Sequence, residues 1–392
     1  MKHLQLKYNL LQFFYWICYC CVYGFVAIFL QYHGLSNTEI GIVTGLGAAF
    51  TVITSPYLAG LIGKIKSMTN EKMVVLTMIG TFILYGLMSL IKFPHVIMII
   101  LYILLIQLIA TDVPVLSQIC MDYLKEGEYL DFGLARGLGS LSYASAAAVM
   151  GFLVDWINPL AVSVVYVISG LLVILMIKIL PKVKHLESEK QGSSISIFRF
   201  IKLYKRYFII VLSFMLPLSM ASTIGTYLIN IVKSLGGTSS LFGIATFLSA
   251  GGELPFMAIT HSLLKKYTPR QLFMVASIAY VIRNITIALA GNLVVLIIGL
   301  LFQGLSFGLF TAVVTNYAND YVRKEHGMMA QTLLAVMISG IGPTIGNFVC
   351  GRLQDTLGLP AMLLFTSICT IIGFVIYLCL FIFGKKEEIK YE

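Results

Sequence analysis

Charge is scarce in this chain of 392 residues. Asp, Glu, Lys and Arg together make up 11% of it, where a soluble domain carries roughly a quarter. A surface that poor in charge could not stay wet, so a soluble enzyme is excluded. Disorder is excluded on the opposite count, because it needs low hydrophobicity and 59% of these residues are apolar. Paired cysteines are lacking as well. Cys18, Cys20, Cys21, Cys120, Cys350, Cys369 and Cys379 all lie in apolar runs and read as small core residues. No His stands near the Cys18–Cys21 group, so neither a metal site nor a cofactor is expected. A phosphate-cradling glycine loop is missing, since GLGAAF at 45–50 has no Lys-Ser/Thr ending. ATP-driven transport by this chain alone is therefore not expected. There is no basic cluster of the kind set on a soluble nucleic-acid-binding fold, and no nucleic-acid partner is expected. The first apolar run lacks a small-residue cleavage site, so it reads as a first helix and not as a removed signal peptide.

What is there is a series of twelve apolar runs, from about 10–32 to about 359–384, each near the ~20 residues that span a bilayer. The expected fold is an all-α polytopic membrane protein with twelve transmembrane helices. The one substantial polar stretch, 181–206, falls between runs six and seven. It divides the chain into a six-helix N-terminal bundle (1–180), a central loop and a six-helix C-terminal bundle (207–392). Residues 198–207 within that loop are basic and amphipathic, and are expected on the inner leaflet. Of the 27 Lys and Arg residues, all but Lys92, Lys233, Arg352 and the intramembrane Arg283 fall on the side that holds the termini. The positive-inside rule then puts both termini in the cytoplasm of a plasma-membrane protein. The halves also repeat: Gly151, Leu153 and Asp155 in GFLVDWINP recur as Gly351, Leu353 and Asp355 in GRLQDTLGLP. Repeats of this kind point to a transporter with its site at the midplane between halves.

A charge in a span is costly and usually has a task or a partner. Asp112 lies deep in run four, Glu253 in run eight and Arg283 in run nine, while Arg136 stands just inside run five. Thr246, Ser249 and Glu253 share a helical face, which Thr260 continues; Pro255 interrupts backbone bonding beside them. Glu253 is either a titrating or ligand-accepting carboxylate or one half of a structural ion pair with Arg283. Ser219, Ser222, Thr223, Thr226 and Asn230 form a narrow arc on run seven, either lining a cavity or bonding helix to helix. Asp112 is offset from the Gln107, Thr111, Pro114 and Gln118 face and either pairs with a neighbouring helix or meets solute. Arg136, Ser140 and Tyr143 line one face; Arg136 is an anchor at the cytoplasmic end or a ligand donor. Tyr15, Tyr19 and Tyr23, spaced by four with Gln12 and Trp16 beside them, are a packing stripe or a stacking surface for a sugar or ring. The six histidines sit in loops or at span edges and read as solvated.

Several stretches, in order along the chain, resemble the major facilitator superfamily, and within it the lactose permease and phenylpropionate permease type. FGLARGLGSLSYA at 132–144 is similar to the Arg-bearing, glycine-rich start of helix five, YHGLSNTEIGIV at 32–43 to the entry to helix two, GELPF at 252–256 to the Glu-bearing helix eight, and GRLQDTLG at 351–358 to the end of helix eleven. The resemblance implies two bundles related by a pseudo-two-fold axis. It implies a sugar contact for Arg136, a substrate and coupling role for Glu253, and the place of the helix-nine arginine for Arg283. Gln303 stands where the family often has His, and Ser306 where lactose permease has its proton-carrying Glu. The helix-four carboxylate has only Ser117 and Gln118 near its place, and Gly63 replaces the Asp of the loop after helix two. These departures point away from lactose and route proton coupling through Glu253 and Asp112.

The expectation is a secondary active transporter, not an enzyme: a monomer importing a small polar solute with protons, by alternating access. Sugar or oligosaccharide comes first as substrate class, aromatic acid or nucleoside next. Arg136, Glu253, Arg283, Gln303, Tyr19, Tyr23, Thr223 and Thr226 are the expected solute contacts. Efflux of amphipathic compounds and a non-transporting membrane sensor or assembly factor stay open beside it.

Overall fold

The computed structural model describes residues 3–60, 62, 68–181 and 195–384. Lys2, Gly63, Lys64, Lys66, Lys182, Lys184, His185, Lys190, Lys385, Lys386 and Lys390 lie outside the described residues. Everything regular is helical. In chain order the helices are α1 (Leu4–Tyr19), α2 (Val26–Tyr32), α3 (Asn37–Gly60), α4 (Asn70–Leu90), α5 (His95–Lys125), α6 (Phe132–Trp156), α7 (Ala161–Ile179), α8 (Ile197–Leu203), α9 (Lys205–Thr226), α10 (Leu228–Ser234), α11 (Ser239–Gly251), α12 (Glu253–Leu264), α13 (Pro269–Ala288), α14 (Leu293–Leu301), α15 (Leu309–Tyr321), α16 (Gly327–Ala335), α17 (Gly342–Leu357) and α18 (Leu359–Phe383). Among the described residues, 11 spans are long and apolar enough to cross a membrane, or 12 when the α1–α2 pair, bent by 53°, counts as one.

Starts and bends follow from local chemistry. Thr69, Asp131 and Asn292 side chains accept from the backbone N–H groups of Lys72, Leu134 and Val295, which satisfies donors that a helix start leaves open. At α13, Thr268 and Gln271 form a capping box, with Pro269 in the first turn where no N–H is needed. Three π-helical turns interrupt spans, at Cys20–Gly24, Gly304–Gly308 and Val336–Ile341. In lipid a carbonyl loosened by such a turn needs a partner. At the first turn, Tyr85 and Tyr102 supply it, their hydroxyls donating to the carbonyls of Cys21 (3.4 Å) and Val22 (2.8 Å).

The chain forms two compact units, residues 1–188 with 228–247, and residues 189–227 with 248–392. The first is filled by buried aromatics, among them Tyr8, Tyr15, Tyr85, Tyr102 and Tyr166. α10 and most of α11 pack in this unit although they follow the central loop. Asp155 at the end of α6 accepts from the N–H groups of Ser239 (3.0 Å) and Ser240 (2.6 Å) at the start of α11. Beside it the two helices touch backbone to backbone. A Cβ on Gly151 would strike the Ser239 carbonyl, and one on Gly243 the Ala147 carbonyl. The second unit has its core around Phe214, which stacks on Phe310 at 4.2 Å and packs against Phe273 and Tyr377. α8 belongs to it, with Phe200 buried and Phe198 82% exposed, the two-faced pattern expected of that basic stretch.

Candidate functional site

In the first unit, the residues of interest gather where α1 meets α6. The guanidinium of Arg136 lies flat over the indole of Trp16, 3.9 Å from the ring centroid, and Nη1 donates to Ser140 Oγ one turn on (3.2 Å). The indole is itself fixed. Its Nε1 donates to Gln12, Gln12 donates to Tyr8, and Tyr8 donates to the Leu116 carbonyl, at 3.0, 2.9 and 2.9 Å. Gly139 leaves the notch in α6 that the ring fills, since a Cβ there would overlap it. Tyr19 packs at a tilt against Trp16 (4.9 Å) and stacks on Tyr23 at 4.3 Å with planes 10° apart. Both tyrosines are half-buried. Tyr15, by contrast, is fully buried and donates to the Ile109 carbonyl at 2.6 Å, so it is a packing residue. The π-helical turn at Cys20–Gly24 divides the stripe.

Asp112 is fully buried within the same unit. Thr77 of α4 donates to its Oδ1 at 2.7 Å, and Oδ2 has no hydrogen-bond partner. It pairs across to a neighbouring helix, through a hydroxyl and not a cation.

The expected eighth helix runs as one span, Ser239–Leu264, with a single turn residue, Gly252, between α11 and α12; Glu253, at the start of α12, lies in the second unit. Gln303 donates to Glu253 Oε1 at 2.9 Å. Small residues permit this approach. A Cβ on Gly304 would strike the Gly252 carbonyl, and one on Gly308 would lie 3.0 Å from the Glu253 carbonyl. Arg283, 3% exposed, donates to Asn284 Oδ1 at 2.7 Å, and Asn284 donates to Thr370 Oγ1 at 2.7 Å. The ion pair between Arg283 and Glu253, one of the two sequence readings, is not formed among the described residues. Gln303 bonds the carboxylate and Asn284 the guanidinium, and Arg283 Nε has no hydrogen-bond partner.

Thr223 is fully buried against α17, where a Cβ on Gly346 would come within 2.6 Å of its hydroxyl. Thr226 is more open and donates to the Ser222 carbonyl at 3.3 Å. Gly139, Gly304, Gly308 and Asn284 were not singled out from sequence. The RGLG spacing after Arg136 hints at the first; the others depend on helix pairings that no local pattern encodes.

Each unit by itself carries polar groups on spanning helices, a cationic and aromatic set in the first and a carboxylate and an arginine bonded to amides in the second. Residues 5–376 match the family model described as the MFS_1 like family. The chain belongs to that family of major facilitator transporters. Over 384 residues the transporter is 23% identical to a maltose permease of Geobacillus stearothermophilus, covering 97% of this chain and 95% of the relative. It is 22% identical to the uncharacterized transporter YwbF of Bacillus subtilis (strain 168), covering 100% and 97%. In fold it is similar to the nucleoside transporter NupG, with a TM-score of 0.81 at 16% identity over 98% of this chain and 100% of that one. A bacterial homolog of the human lysosomal transporter Spinster superposes with a TM-score of 0.68 at 13% identity, over 97% and 96% of the chains.

Proposed function

We propose that this transporter imports a small polar solute together with protons by alternating access, with a sugar or oligosaccharide ahead of an aromatic acid or nucleoside as substrate. The observation that carries the reading is Glu253, a carboxylate within a membrane-spanning stretch that accepts a hydrogen bond from the Gln303 amide. A hydrogen bond from a neutral amide can be exchanged for one from a solute hydroxyl at little cost, and a carboxylate in a membrane span can take up a proton. Arg136, steadied by Trp16, donates to the solute. Tyr19 and Tyr23 offer ring faces of the kind that pack on sugar C–H groups. Arg283 and Gln303 are the second donor set. Thr226 adds a hydroxyl, while Thr223 holds the helix that carries it. The maltose permease relative supports a sugar. Both termini and the basic loops face the cytoplasm, and the chain works as a monomer in the plasma membrane.

The deciding experiment is uphill uptake of labelled maltose, uridine and an aromatic acid into energised membrane vesicles. Wild type is expected to accumulate maltose under an inward proton gradient. Glu253→Gln is expected to abolish accumulation while leaving solute exchange measurable. Uphill accumulation by the Gln variant would remove Glu253 from coupling. Accumulation in inverted vesicles alone would favour efflux.

A further inference from the structure

We propose that the second unit carries a binding site for the phosphate headgroup of an anionic phospholipid, at the lysine-rich end of the molecule. A cleft of about 830 Å³ opens there among the ends of α9, α12, α13, α15 and α18. Arg206, Lys265, Lys266 and Arg270 line it, and no acidic residue is among the described residues that do. Lys265, Lys266 and Arg270 bring three positive charges to one stretch of that lining, an arrangement that an anion relieves. The start of α13, a helix of 20 residues, points the positive end of its dipole into the same space. Arg270 is the best placed of the four. Its guanidinium rests on the Phe381 ring at 4.7 Å, and its buried Nε has no hydrogen-bond partner. Among the described residues it makes no ion pair.

The floor of the cleft is apolar, with Ile210, Phe273 and Phe381. At its mouth, Tyr267 is 50% and Ile382 59% exposed. Ile382 lies on the apolar spanning helix α18 and Tyr267 in the connection beside it, where acyl chains meet headgroups. A soluble anion would gain nothing from these surfaces; a phospholipid places its phosphate among the cations and its first methylenes on the rings. Basic pockets between helices at a membrane surface bind anionic headgroups by this logic. Neither Glu253 nor Arg136 lines the cleft, so the proposal stands apart from the transport reading.

The test uses the purified full-length protein in mild detergent, following its thermal midpoint during titration with phosphatidylglycerol, phosphatidylcholine or soluble glycerol phosphate. Phosphatidylglycerol alone is expected to raise the midpoint. In Lys265→Gln/Lys266→Gln, two exposed side chains, the half-effect concentration is expected to rise about thirty-fold, from roughly 1 kcal/mol per cation and a tenfold change per 1.4 kcal/mol. Arg199→Gln/Lys202→Gln on α8 removes the same charge elsewhere and is expected to change nothing. In the wild-type protein, added salt is expected to weaken the response, which tests the site without any variant. An equal response to phosphatidylcholine, equal losses in the two double variants, or indifference to salt would overturn the site. Full stabilisation by glycerol phosphate would overturn the lipid as its occupant.

Discussion

At the scale of single residues, Arg136 shows how a cation can be kept ready in an apolar setting. The indole face of Trp16 lies against its charge and holds the plane of the guanidinium in place. Lysine would keep the charge but lose the plane and the fork of donors. Arg136→Lys is therefore expected to weaken solute affinity about tenfold, from the ~1–2 kcal/mol that a desolvated cation–π contact supplies, with the folded protein as stable as before. Binding to purified protein reads the first and a melting curve the second. Asp112 poses the opposite case. Its Oδ1 depends on one hydroxyl, that of Thr77. Thr77→Val strips that donor and is expected to cost about 1–3 kcal/mol of stability, seen as a lowered melting midpoint. Asp112→Asn keeps the shape and is expected to fold normally. If Asp112 carries a proton, that variant loses uphill uptake and keeps downhill flux.

At the scale of elements, the crossing of α6 and α11 is set by two glycines and one carboxylate. Gly243→Ala pushes a methyl group into the Ala147 carbonyl and is expected to cost about 1–3 kcal/mol as overpacking. Asp155→Ala removes the acceptor at the start of α11 and is expected to cost about 1 kcal/mol, as loss of an N-cap does. Thermal melts of both variants and their double combination would show whether the losses couple, as contacts sharing one crossing should. The crossing also marks how far the sequence could be read. Runs of Leu, Ile and Val near twenty residues long announced the spans, and the four-residue step from Arg136 to Ser140 announced their shared face. Asp155 drew notice as one of a repeated pair, but its partner lies 84 residues away in α11, beyond any local pattern. The tyrosine stripe was legible as a stripe only. Which members face inward turns on the neighbours each meets, Tyr15 reaching the Ile109 carbonyl of α5 while Tyr19 and Tyr23 stack on each other.

At the scale of the whole molecule, α10 and α11 belong by sequence to the second half and by packing to the first unit. The chain should therefore not divide cleanly at its central loop. A gene cut within 182–194 is expected to yield a first fragment that is degraded when expressed alone and stabilised when the second is supplied, measured by fragment abundance in membranes. Equal abundance of the lone first fragment would mean that α10 and α11 are dispensable to that unit.

The same packing sets a clock on synthesis. Residues 1–188 can be in the bilayer before α11 exists. At about 5–20 residues per second, several seconds pass before the chain through Phe247 has been made. Until then the groove at Gly151 lies open to lipid and the Asp155 carboxylate has no helix start to cap. The newborn transporter thus has a brief, defined period in which its first half is incomplete, and that open groove is what an insertion chaperone would have to shield.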